Sequence, residues 1–207
     1  MIAIIDYDIG NVAAVQNILA RLGYDSVITS DAHEIGSADR IILPGTGSFD
    51  FCMANLSQSG LIPVLEQKAL IDKVPLLGIC VGAQLLGRGS EEGRLKGLSW
   101  LAMDVRRLQP PATFAVPHLG WAFVDGRQSS HPLLGGLEDN EAARFYFAHS
   151  YYMQPDKESD WLFSVTYGTE FCAAAARDNI AAVQFHPEKS HRFGKALLKR
   201  FALWETK

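Results

Sequence analysis

The chain has 207 residues, 48% of them hydrophobic, which suits one α/β domain with a substantial core and points to a single unit over 1–207. Its formal charge of −4, without a long run of lysine and arginine, gives no electrostatic ground for a nucleic-acid or anionic-membrane partner. No apolar stretch reaches the roughly 20 residues of a bilayer span, so small molecules and proteins remain as partners.

The opening residues, MIAIIDYDIGN, read at once as a buried strand over 2–7. They place Asp6 where a secretory leader would need unbroken apolar sequence, so a cytoplasmic protein is expected. Val12, Val15, Ile18, Leu19 and Leu22 then recur at helical spacing over 11–22, and Gly23 stops the helix. Short strands are predicted at 26–29 and 40–43, a helix at 61–71 and a continuous apolar strand at 74–79. Strands alternating with helices imply a parallel, doubly wound sheet with helices on both faces. Beyond Gly93 the texture changes to short strands and turns, such as RFYFAHSYYM, WLFSVTYG and IAAVQFHP. This half predicts a mixed, partly antiparallel sheet closed by an amphipathic helix over about 191–204. There is no internal repeat, low-complexity tract or linker.

Three cysteines, Cys52, Cys80 and Cys172, are odd in number and form no Cys-x-x-Cys pair, so neither a disulfide framework nor a zinc cluster is expected. Cys80 stands apart because it lies in Gly78-Ile79-Cys80-Val81-Gly82, where a buried strand meets a helix. Ligands of open α/β sheets bind beyond the carboxyl ends of the strands. A nucleophile on a strained strand-to-helix elbow needs small neighbours, and the helix start favours a thiolate. Taken alone, this pattern also fits a cysteine packed in a core. A base is available downstream in VQFHPEKS, where His186 closes a predicted strand over 180–185. Glu188, two residues on, points the same way from extended backbone and can orient the imidazole. Gln84, one helical turn after Cys80, shares its face and can donate to a substrate carboxylate. The loop Gly45-Thr46-Gly47 is not a dinucleotide fingerprint, since Asp50 occupies the place of the third glycine. His33, His118, His131, His149 and His191 show no metal-ligand spacing, and no metal or cofactor is implied.

With these two blocks, GICVGAQ at 78–84 and FHPE at 185–188, the chain resembles the class I glutamine amidotransferases. DYDIGN, PGTGSF at 44–49, SEEG at 90–93, PHLGW at 117–121 and FYFAHSYY at 145–152 extend the likeness over nearly all residues, to the glutaminase subunits of imidazole glycerol phosphate synthases. The resemblance implies the α/β fold of that class, with a doubly wound, mixed and mostly parallel sheet. It also implies hydrolysis of glutamine by Cys80, His186 and Glu188, with the oxyanion met by N–H groups of Val81 and of Gly45, Thr46 or Gly47. Glu92 would face the substrate ammonium, and Ser150 and Tyr151 would add contacts. Ammonia would pass to a separate (β/α)8 barrel subunit in a heterodimer, with Asn11, Trp121 and Lys189 near the interface. Such a subunit is expected to be nearly inactive alone, its oxyanion donor misdirected until the partner reorganises the loop.

Ala83, Leu119 and Ala122 stand where that family usually has Met, Met and Asn. These departures spare the triad but leave two acceptors open, the histidine-pathway barrel and an enzyme that amidates surface-polysaccharide sugars. A non-catalytic scaffold of the same fold and a cysteine hydrolase acting on another amide are the further alternatives. The complete triad argues against the first, and Gln84 with Glu92 against the second.

Overall fold

A computed structural model describes residues 1–127, 131–134 and 143–205. The first strand, β1 (Ile2–Ile5), is buried throughout and lies parallel to β2 (Ser26–Thr29) on one side and β3 (Arg40–Gly45) on the other. Continuous burial on both faces explains its unbroken aliphatic sequence. The parallel run continues through β4 (Leu76–Cys80) to β12 (Ile180–Val183), which brings the chain's end beside its middle. Past β12 the pairing turns antiparallel, through β11 (Thr169–Arg177), β10 (Trp161–Tyr167) and β7 (Asp125–Gly126). β9 (Tyr151–Pro155) joins β11 and carries β5 (Met103–Arg107). Among the described residues this makes one ten-stranded sheet, and β6 (His118–Phe123) with β8 (Arg144–His149) forms a second, two-stranded one.

α1 (Val12–Arg21) buries Val15 and Leu19 and packs with the terminal α6 (His191–Leu203). Two helices were not anticipated. α2 (Ala32–Gly36) is capped by Asp31, whose carboxylate accepts from His33 N and Glu34 N at 2.7 and 3.1 Å. α3 (Phe49–Gln58) buries Phe49, Cys52, Met53 and Leu56 at helical spacing. The single helix expected over 61–71 divides into α4 (Ile62–Glu66) and a π-helical turn, Gln67–Ile71. That wider turn leaves the Ala69 carbonyl to Asn179 Nδ2, 2.8 Å away, and the same nitrogen donates to Val74 O at 2.8 Å.

The two-stranded sheet is fastened through its phenylalanines. Phe145 and Phe147 point inward from β8, Phe145 stacking on Phe185 at 3.9 Å and Phe147 meeting Phe171 edge-on at 6.1 Å. Each buries a side chain worth about 1.5–3 kcal/mol of transfer free energy, and together they fix Phe185 beside His186. The strand expected over 180–185 ends earlier, at Val183. Gln184 N still reaches Ala173 O at 2.8 Å, but His186 N turns away to Tyr146 O of β8 at 2.9 Å. The chain thus leaves the main sheet at the residues that form the site.

Candidate active site

The site begins with close backbone contact. β4 ends in Cys80, which takes φ 55° and ψ −116°, and α5 (Val81–Leu85) starts immediately. Positive φ in a residue with a side chain costs on the order of 1–3 kcal/mol and persists only where the surroundings enforce it. Here they do. A Cβ on Gly82 would stand 2.1 Å from Leu43 O, one on Gly45 2.2 Å from Gly82 N, and one on Gly78 2.6 Å from Ala83 Cα. The turn is therefore seated directly against the end of β3, where Gly45 pairs with Cys80.

His186 comes from the other side. Its N–H is held by Tyr146 and its carbonyl accepts from Ser190 Oγ at 2.6 Å, while Tyr146 N donates to the same hydroxyl at 3.0 Å. Its Nδ1 meets Glu188 Oε1 at 2.9 Å, with both side chains almost fully buried. The contact forms for a reason other than the extended backbone expected: Pro187–Lys189 is a 3₁₀ turn, for which Pro187 supplies a suitable φ, and it folds Glu188 back onto the ring. Burial by itself would lower the imidazole pKa. Hydrogen bonds to Cys80 and Glu188, with the charges on both, outweigh it and raise the pKa above the ordinary histidine range. Cys80, His186 and Glu188, more than 100 residues apart between first and last, thus form one connected set.

The set opens into a cleft of about 360 Å³. Of the residues expected there, Thr46, Gly47, Val81, Gln84, Glu92, Ser150 and Tyr151 line it. Gly45 does not, because it lies against the elbow as the close-contact residue of β3. Gln84 differs from the expected donor: its Nε2 bonds Tyr151 O at 3.1 Å and Gln184 Oε1 at 3.0 Å, which leaves its carbonyl oxygen for a ligand. Glu92 Oε2 accepts from Phe49 N at the start of α3, 2.8 Å away. Asp50 clamps the same loop by accepting from Arg94 N at 2.8 Å and Leu95 N at 3.0 Å. Lys189 lies at the cleft and over the Tyr146 ring. Trp121 is half exposed and stacks on His191 at 5.5 Å, and Asn11 is exposed at the start of α1 without capping it through its side chain.

His149 was missed as a cleft residue. Its Nδ1 donates to Tyr151 O at 2.8 Å, so its Nε2 is an acceptor, and His118 Nδ1 donates to it at 3.3 Å. Burial holds both rings neutral, with pKa values lowered to about 4 for His118 and about 3 for His149. The Thr46 and Pro44 carbonyls are also held from below, by Cys52 Sγ at 3.2 Å and Tyr7 Oη at 2.6 Å.

A strained thiol sharing a cleft with an oriented imidazole defines a cysteine nucleophile with its base, and a cleft with an acidic and an amide group suits an amino-acid head group. The glutamine amidotransferase class-I family model matches residues 3–204, and the chain belongs to that family. Among curated proteins it is 47% identical, over 97% of this chain and 98% of the other, to imidazole glycerol phosphate synthase subunit HisH 2 of Pseudomonas aeruginosa. It is 46% identical, with 97% and 98% covered, to the subunit of the same name from Methanococcus maripaludis. Among solved structures, PurLQS from Thermotoga maritima shares the fold, with a TM-score of 0.70 at 20% identity, covering 98% of this chain and 96% of that one.

Proposed function

We propose that this chain is the glutaminase subunit of an imidazole glycerol phosphate synthase, and that residues 1–207 work as one amidotransferase domain. The observation that carries the chemistry is the meeting of Cys80, His186 and Glu188 at one cleft. The Cys80 sulfur attacks the side-chain amide carbon of glutamine and its proton goes to His186. The carbon–nitrogen bond then breaks, and His186 returns the proton to the departing ammonia. Water hydrolyses the remaining thioester and frees glutamate and the thiol. Glu188 holds the ring and stabilises the imidazolium between these steps. N–H groups of Val81 and of the Thr46–Gly47 segment receive the oxyanion, and Glu92, Gln84, Ser150 and Tyr151 take the amino-acid head group.

Ammonia released at neutral pH is mostly protonated, so its use as a nucleophile needs a partner that closes over the cleft. The outward face of β6 supports such docking: Leu119, Trp121 and Phe123 alternate along it, 64%, 42% and 61% exposed, and Leu119 also lines the cleft. A (β/α)8 barrel synthase subunit of histidine biosynthesis is the occupant proposed, with Trp121, Lys189 and Asn11 at or near the contact. The similarity to subunits of that name over nearly the full length favours it over a sugar-amidating partner. No helix among the described residues is long and apolar enough to cross a membrane, and a cytoplasmic site of action is proposed.

A direct test is covalent labelling with a glutamine analogue bearing an electrophile at the side-chain carbon. Modification of Cys80 alone, prevented by excess glutamine, is expected. Labelling elsewhere, or labelling indifferent to glutamine, overturns the reading.

A further inference from the structure

Gln184 is fully buried two residues before His186 and has no part in the roles assigned above. Its neighbours fix which end of its amide faces which group. The Tyr151 carbonyl can only accept, so Gln84 turns its NH₂ toward it, and the same nitrogen donates to Gln184 Oε1. With Oε1 committed to Gln84, the Gln184 NH₂ faces the Cys80 sulfur, Nε2 to Sγ being 4.0 Å. The backbone leaves it little freedom, since Gln184 N is bonded to Ala173 O of β11. His149 Nδ1 shares the Tyr151 carbonyl and His118 backs His149, so the amide pair rests on a buried network whose polarity runs one way.

We propose that Gln184 is a positioning residue for the Cys80 sulfur, presenting an N–H that holds it toward His186 and favours the thiolate over the thiol. The proposal rests on the reading of Cys80 as the nucleophile. A thiolate on a residue as buried as Cys80 needs donors, and a neutral amide supplies one without competing with His186 for the proton. Gln184 also holds Gln84, so a structural role must be separated from this one.

The test compares Gln184→Met with Gln84→Met, both made in the full chain and checked for folding by thermal melting. Each removes the bond between the two amides, but only the first removes the N–H at sulfur. The readouts are the pH profile of iodoacetamide alkylation at Cys80, resolved by peptide mass with buried Cys52 and Cys172 as internal references, and kcat and KM for glutamine. For Gln184→Met, alkylation at neutral pH is expected to slow about tenfold, its profile to move to higher pH, and kcat to fall about tenfold with KM little changed. For Gln84→Met, which leaves the Gln184 N–H in place but removes the bond that orients it, the alkylation profile is expected to move less than in Gln184→Met while KM rises. Equal alkylation profiles in the two variants and the wild type overturn the proposal and leave Gln184 as a support for Gln84. If Gln184→Met does not fold, Gln184→Asn, which withdraws the N–H by one methylene, carries the same expectation. Alkylation needs no turnover, so a wild-type protein without Cys80-dependent glutaminase would sink the functional reading while the role of Gln184 was still decided.

Discussion

Gly82→Ala adds one methyl group where the structure has no room for it. The new Cβ would stand 2.1 Å from Leu43 O, 2.8 Å from Pro44 C and 2.9 Å from Leu43 C, all of them backbone atoms of β3 that cannot swing aside like a side chain. Restoring an ordinary carbon-to-oxygen contact of about 3.3 Å requires the elbow and β3 to separate by about 1 Å. Overpacking of this kind costs about 1–3 kcal/mol, which in a chain of this size lowers Tm by about 2–12 °C. The same separation carries Cys80 away from His186 and from the Thr46–Gly47 segment, and a displacement of about 1 Å at reacting atoms costs about 100-fold in rate. The assay is a thermal melt together with partner-stimulated glutamate release. Gly36→Ala is the control, because its Cβ meets nothing within 4 Å and its backbone is helical, so it should change stability by less than about 0.5 kcal/mol and leave turnover alone. A Gly82→Ala protein with wild-type melting and turnover would refute the claim that close seating of the elbow creates the site.

Cys80→Gly relieves the positive φ that Cys80→Ala retains, so the inactive glycine variant should be the more stable of the two by about 1 kcal/mol in a denaturant titration; the reverse order would mean the elbow is unstrained. Glu188→Gln keeps the volume but removes the charge facing Nδ1, and should lower kcat/KM at least about 100-fold without raising KM, unlike a substrate-contact residue. Because burial holds His118 and His149 below the ordinary histidine pKa of 6.5, at about 4 and about 3, the unfolded chain binds more protons than the folded one between pH 6.5 and 4. Stability therefore falls as pH drops through that window and the pair adds no slope above it. His118→Phe should lose less Tm than the wild type between pH 7 and 5, and an unchanged loss would contradict the neutral pair.

The catalytic side of the site was legible because its requirements are local. Glycines flank Cys80 since backbone approaches backbone there, and FHPE carries base, turn and orienting acid within four residues. The α/β class and the parallel half of the sheet were legible from short apolar runs alternating with helical spacing, whereas the strand order comes from tertiary pairing. The helix α3 is not legible because Asp50 in the sequence marks only the absence of a third glycine, whereas in the structure its carboxylate holds Arg94 N and Leu95 N, in the loop that carries Glu92. The capping signal of Asp31 with Glu34 was present in the sequence and unused. His149 and Gln184 could not be found from spacing at all. Their roles depend on bonds to Tyr151, Gln84 and Cys80 that are set by tertiary packing, and a buried amide or imidazole carries no sequence signature of its partner.

The measurement that bears most directly on the central claim is glutamate release from glutamine by the purified protein, alone and with the (β/α)8 synthase subunit and its nucleotide substrate, beside Cys80→Ala. A low rate for the chain alone, strong stimulation by the partner and none in the variant is the predicted result. Glutamate release that persists in Cys80→Ala, or its absence with any partner, would contradict the account.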